Sequence, residues 1–265
     1  MRLQKKQGIN MKRSDVRITQ EQTKSSSSIQ IGVQNNYGVP VEQAVQMALD
    51  QFYKHYPQLQ DEALSMVRKM VEERLEKVVP ENIVSPKANI AVPALQGASL
   101  AEEVEIRELY AALLSGSMDS TVCKDVHPGF SEIIRQLTSD EAKILKYLST
   151  HNTIPTIGIR YEHEKGGGIN IVTKFSDIGY ILQCKNPEDI EIYIDNLVRL
   201  GIVSFAGDLS NLTDKSLYEP LKKHFAITKY ASDIMAKERG FDKYRITESY
   251  VQLTMYGIKF CKICT

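Results

Sequence analysis

The sequence predicts a mainly α protein: a helical body closed by a C-terminal α+β module and preceded by a disordered arm that carries a short β-prone patch. Three observations carry this expectation. Apolar residues recur at helical spacing through most of residues 41–149. Within the body, alternating and β-branched runs appear only after Ser149. Residues 1–28 are polar, basic and serine-rich, a composition that cannot bury enough apolar surface to offset the entropy of ordering.

Pro40 opens the first helix, with Val41, Ala44, Val45, Ala48, Leu49, Phe52 and Tyr56 on one face. Pro57 breaks it. A second helix follows, striped by Ala63, Val67, Met70, Val71, Leu75 and Val78 and ended by Pro80, and the two pair as a hairpin over 39–80. Residues 81–99, interrupted by proline and glycine, read as an ordered connector. A third helix is expected from Leu100 to Ser117, with glutamates at its start where the helix dipole favours negative charge. Pro128 begins a fourth, turning Phe130, Ile133, Ile134 and Leu137 inward. Thr138 and Glu141 form a capping-box pattern for a fifth over Asp140–Ser149.

Beyond it, Thr156–Tyr161 and Ile169–Phe175 predict a β-hairpin with Gly166–Gly168 at its tip. Asn186-Pro187 caps a helix with Ile190, Tyr193, Ile194, Leu197 and Leu200 inward and Gly201 as its stop. Ile202–Phe205 and Tyr250–Leu253 read as short strands, and Glu219–Arg239 between them as one helix ending at Gly240.

Bulk properties narrow the function. Hydrophobic residues at 42% and charged residues at 25% over 265 positions allow a sizeable core without disulfide or metal staples. The formal net charge of zero removes any overall bias toward nucleic acid or anionic membrane. Charge is nonetheless uneven: residues 1–25 hold Arg2, Lys5, Lys6, Lys12, Arg13, Arg17 and Lys24 against Asp15 and Glu21. Cys123, Cys184, Cys261 and Cys264 are too sparse for a secreted disulfide scaffold, and neither a signal-peptide pattern nor an 18-residue apolar run is present. A reducing cytoplasm is the expected location.

The patch at 29–38 reads Ile29-Gln30-Ile31-Gly32-Val33-Gln34-Asn35-Asn36-Tyr37-Gly38. Stacked in register, Gln30, Asn35 and Asn36 form amide ladders, Ile29 and Ile31 share one side, Gly32 permits a bend and Tyr37 stacks on its copies. Aliphatic, Gln, aliphatic, Gly, two residues, Asn is a spacing that resembles the core of the RIP homotypic interaction motif (RHIM), which implies amyloid-type assembly. By average residue usage it arises in about one in a thousand chains of this length. The alternative is an ordinary edge strand or an arm lying on the body. The candidate assembly residues are Ile29, Gln30, Ile31, Gly32, Val33, Asn35, Asn36 and Tyr37.

A second resemblance covers most of 86–265. Pro93-Ala94-Leu95, Arg107-Glu108-Leu109-Tyr110-Ala111-Ala112-Leu113-Leu114, His127-Pro128-Gly129-Phe130, Ile133–Leu137, Asp140-Glu141-Ala142, Asp195–Gly201 and Leu253-Thr254 with Gly257, Phe260 and Cys264 resemble the abortive infection alpha (Abi-alpha) family. The resemblance implies phage defence and brings no catalytic residues with it. A third concerns 138–265: Asp140–Ser149 as first helix, Pro187–Leu200 in the recognition-helix position, and Ile202–Phe205 with Tyr250–Leu253 as wing strands resemble a winged helix, interrupted by an insertion at about 206–245. Glu188, Asp189, Glu191 and Asp195 against Arg199 make that helix acidic, so phosphate is repelled and a protein partner is favoured over DNA. The chain thus divides into a leader (1–28), the RHIM-like motif (29–38), a helical hairpin (39–80), the Abi-alpha helical region (81–137) and the winged-helix-like module (138–265).

Other signals are weaker. Cys261-x-x-Cys264 is a single pair without partners for zinc, and burial of Cys264 explains it better. Gly166–Gly168 lacks the Lys-Ser/Thr of a phosphate loop, and Glu102, Glu103, Glu105 and Glu108 read as a solvated helix face. His127 reads as a satisfied loop histidine, and Arg107 and Asp119 as an ion pair or caps. The histidines lack metal spacing. No cofactor, no metal and no catalysis are expected. The expected partners are further copies of the chain and another protein with a matching motif. The rival readings are a winged-helix DNA-binding regulator and a membrane-disrupting effector that refolds helices 41–79 onto lipid.

Overall fold

The structure is a computed structural model and describes residues 39–55, 62–207 and 210–265. The leader, the patch at 29–38 and Pro57 lie outside them. The carbonyl of Pro40 accepts the first bond of α1 (Val41–His55), from the Ala44 amide at 3.0 Å. Ala44, Val45, Ala48, Leu49 and Phe52 are buried, as their spacing requires. α2 (Glu62–Leu75) turns Leu64, Val67, Val71 and Leu75 inward and stops short of Pro80, leaving Val78 in a half-buried turn. α1 and α2 pack together.

The connector expected over 81–99 is mostly helix. α3 (Ala88–Leu100) continues through Pro93, although proline removes one N–H from the ladder. Its Ile90, Ala91, Ala94, Leu95 and Ala98 are buried, and it packs on α1, α2 and α4 (Val104–Met118). Tertiary burial overrides the local break. Gly97 is a packing residue, because a Cβ there would overlap the Tyr110 ring of α4. Leu100 therefore closes α3 instead of opening the next helix, and α4 begins at Val104. Arg107 of α4 reaches back, its Nε donating to the Ala101 carbonyl at 2.8 Å.

α5 (Phe130–Ile134) buries Phe130, Ile133 and Ile134 as predicted. α6 (Ser139–His151) carries the expected capping box: the Thr138 Oγ1 accepts from the Glu141 amide at 3.2 Å, and the Glu141 carboxylate accepts from the Thr138 amide at 2.7 Å. Asn152, with φ at 61°, ends the helix.

The C-terminal sheet is four-stranded and antiparallel in the order β2-β1-β4-β3. β1 (Thr153–Glu162) and β2 (Gly168–Phe175) form the predicted hairpin, with Gly166 and Gly167 at positive φ in its tip. β4 (Lys243–Leu253) starts well before Tyr250 and pairs with all of β1, from Thr153↔Gln252 to Glu162↔Lys243. β3 (Val203–Phe205) pairs with its end. Between β2 and β3 lie α7 (Ile178–Ile181) and α8 (Ile190–Arg199), whose Ile190, Tyr193, Ile194 and Leu197 are buried, with Gly201 at φ 73° behind it.

The single helix expected over 219–239 is three short ones: α9 (Glu219–Lys223), α10 (Phe225–Thr228) and α11 (Asp233–Glu238). Its interruptions are capping residues in extended conformation. His224 Nδ1 accepts from the Ala226 amide and Ser232 Oγ from the Ile234 amide, so each starts a new helix instead of continuing the old one. The insertion is tied to the sheet by the Tyr161 hydroxyl on the Tyr230 carbonyl (2.9 Å) and by Glu248 between Lys215 (2.7 Å) and Lys222 (2.9 Å). A final helix, α12 (Met255–Cys264), was not anticipated. Thr254 caps it, and Gly257 sits where a Cβ would run into the Ile202 carbonyl. Its Phe260, Cys261, Ile263 and Cys264 join one core cluster that runs from Ala44 to Cys264.

Candidate functional site

The residues expected to assemble, Ile29, Gln30, Ile31, Gly32, Val33, Asn35, Asn36 and Tyr37, lie outside the described residues. Within the described body, the most highly constrained polar group is Asp140 at the start of α6. Its carboxylate is 2% exposed as a residue and accepts from the amides of Lys185 (2.9 Å) and Asn186 (3.2 Å) and from the Tyr193 hydroxyl (3.0 Å). Burial opposes its charge, but those donors, with Lys143 nearby, hold its carboxyl below the usual range. Tyr193 is pushed well up by burial and by Asp140. Next to it, Glu141 Oε1 accepts from Asn196 Nδ2 at 2.7 Å. Two consecutive carboxylates therefore lock α6 to the loop before α8 and to α8 itself. Saturated with donors, Asp140 is a geometric anchor.

The buried thiols, His127 and His151 are each held by their surroundings. Burial pushes Cys261 up to about 12 and Cys184, also beside Asp140, up to about 11, and raises Cys264 well above its ordinary value, so none is poised as a thiolate. His127 Nδ1 accepts from the Gly129 amide at 3.0 Å, the satisfied loop histidine expected. His151 stacks on Tyr147. Asp119 accepts from Thr121 instead of pairing with Arg107. Glu103, Glu105 and Glu108 face Lys185, Lys143 and Lys146 at 3.5–3.9 Å. Among the described residues no group of three or more His, Cys, Asp or Glu is placed to hold a metal ion.

The acidic helix divides in two. Glu191 accepts from the Thr173 amide and hydroxyl at 3.1 and 2.6 Å, and Asp195 meets Lys174 at 2.9 Å, so both bind α8 to β2. Ile192 faces outward, 64% exposed. Below this region a cleft of about 370 Å3 lies between β2, α7, the start of α8 and the insertion.

These features define a helix-rich chain closed by a C-terminal antiparallel sheet and locked by buried carboxylates. The chain belongs to the abortive infection alpha family, whose model matches residues 59–264. That membership ties it to abortive infection. No curated protein matches it. A solved structure, described as an uncharacterized protein from the hydrocarbon-degrading marine bacterium Alcanivorax borkumensis SK2, is similar at 18% identity and a TM-score of 0.36, over 51% of this chain and 90% of that one. No helix among the described residues is long and apolar enough to cross a membrane.

In the sequence Asp140 is legible as the first residue of a helix and as part of the family resemblance, but its partners, 45 to 53 positions away, are not. Local spacing carries no signal for them. The cleft was missed for the same reason.

Proposed function

We propose that this protein is a cytoplasmic bacterial anti-phage protein that acts by homotypic, amyloid-type assembly through Ile29–Tyr37 and not by catalysis. Family membership supports the defence role, and the assembly mechanism rests on one observation, the spacing Ile29-Gln30-Ile31-Gly32 with Asn35. A phage-triggered partner with a matching motif nucleates stacking. Clustering then raises the effective concentration of the bodies, which act on the cell together.

The C-terminal module serves in this scheme as a winged-helix protein-recognition unit. The chain order α6, β1, α7, α8, β3, β4 and the strand order β1-β4-β3, with β2 added at the edge, support that reading. Glu188 and Asp189, in the turn that leads into α8, disfavour a duplex, because negative side chains there repel phosphate.

The test is phage challenge of bacteria producing equal amounts of the protein or of a variant with Ile29, Gln30, Ile31 and Gly32 all replaced by alanine. Cells with the unchanged protein die early and release few phage, whereas cells with the variant release as many as cells lacking the protein. Equal protection by the variant removes the assembly mechanism while leaving the family's defence role standing.

A further inference from the structure

The cleft beneath β2 has opposed charges that do not meet. Lys229 and Arg239, from the insertion, line it together with Glu188 from the turn before α8. Among the described residues neither cation reaches a carboxylate oxygen within 4.0 Å, and Glu188 reaches no cation within that distance. Lys229 instead lies over the Tyr230 ring, 4.8 Å from its centroid. The remaining acid of the lining, Glu191, is committed to Thr173. Phe175, Ile190 and Ile227 supply the apolar lining.

Tyr180 adds a second, independent sign. Its ring lies in this lining against His224 and Phe225, with centroids 4.6 and 5.5 Å away. Its hydroxyl is buried and has no hydrogen-bond partner among the described residues. An orphaned buried hydroxyl is destabilising, so most folds satisfy or remove it. Burial, followed by the Glu188 charge, raises this phenol above its ordinary value and Lys229 lowers it, so both charges lie within electrostatic reach of the orphan group. At about 370 Å3 the cleft falls at the lower end of the roughly 300–1,000 Å3 range of small-molecule sites.

We infer that this cleft binds a small dipolar molecule of the amino-acid class. Its anionic end sits between Lys229 and Arg239, its ammonium at Glu188 and its apolar side chain on Phe175, Ile190 and Ile227, and the Tyr180 ring turns its sealed hydroxyl toward the molecule to gain a partner when it binds. The site belongs wholly to the C-terminal module and does not depend on the assembly arm.

Calorimetric titration of the full chain tests this with three probes of one shape: L-phenylalanine, phenylpropionate, which lacks the ammonium, and phenylethylamine, which lacks the carboxylate. L-phenylalanine is expected to bind once per chain, and each analogue at least about tenfold more weakly, equivalent to about 1.4 kcal/mol. Arg239→Gln erases the preference over phenylethylamine, and Glu188→Gln the preference over phenylpropionate. Tyr180→Phe weakens L-phenylalanine while leaving the melting temperature of the free protein unchanged or higher, an outcome that a merely structural tyrosine does not give. No saturable binding of L-phenylalanine, equal binding of all three probes, or a Tyr180→Phe variant that melts earlier overturns the proposal.

Discussion

At the scale of single residues, Asp140 carries the clearest prediction. Three donors converge on its carboxylate from sequence positions far from α6. Asp140→Asn turns one acceptor into a donor facing a donor and removes the charge, and is expected to cost about 2–4 kcal/mol in urea unfolding. The pH dependence has a definite sign. The folded carboxyl lies below its unfolded value, so its contribution is full above the unfolded pKa of about 3.9 and is lost as pH falls through the folded pKa. The stability gap between the two proteins, measured across a pH series, is therefore constant near neutrality and narrows in acid. A gap that widens in acid contradicts the assignment. At this scale legibility followed sequence distance. Thr138 and Glu141, three residues apart, announced their capping box, whereas the bond from Tyr193 to Asp140 spans 53 positions and left no local trace.

Elements were legible wherever burial followed a simple period and local chemistry agreed with it. The stripes of α1 and α8, the hairpin tip at Gly166–Gly168 and the stop at Gly201 are of this kind. α3 was hidden because Pro93 and Gly97 both read as punctuation. Packing against α1, α2 and α4 holds the helix across the proline, and Gly97 is there to admit the Tyr110 ring. Gly97→Ala separates these meanings. Helix propensity alone favours alanine by about 1 kcal/mol, but overpacking costs about 1–3 kcal/mol, and Tyr110 is fully buried with little room to retreat. A net loss of stability is expected by chemical denaturation, and a gain shows that Gly97 is not a packing contact. The opposite error occurred over 219–239, read as one helix ending at Gly240, where the caps at His224 and Ser232 cut the segment into three. α12 had a readable spacing in Gly257, Phe260, Cys261 and Cys264, obscured by the interspersed lysines.

At the scale of the whole molecule, one apolar core joins the N-terminal helices to the sheet module, and α12 packs back on α4 and α6 to close it. The proposed assembly motif rests on the sequence alone, on a spacing that needs no tertiary context. The cleft is the reverse case: Tyr180, Glu188, Lys229 and Arg239 come from separate elements and acquire a shared meaning only through the fold. One chain thus carries two proposed devices, an arm that joins copies and a body that presents a small-molecule cleft. The central claim concerns the arm, and the most direct measurement is fibril formation by the purified full chain, followed by thioflavin fluorescence and electron microscopy beside the variant carrying alanine at Ile29, Gln30, Ile31 and Gly32. The account predicts fibrils from the unchanged protein and none from the variant. Absence of fibrils from both, even after seeding, or equal fibrils from both, contradicts it.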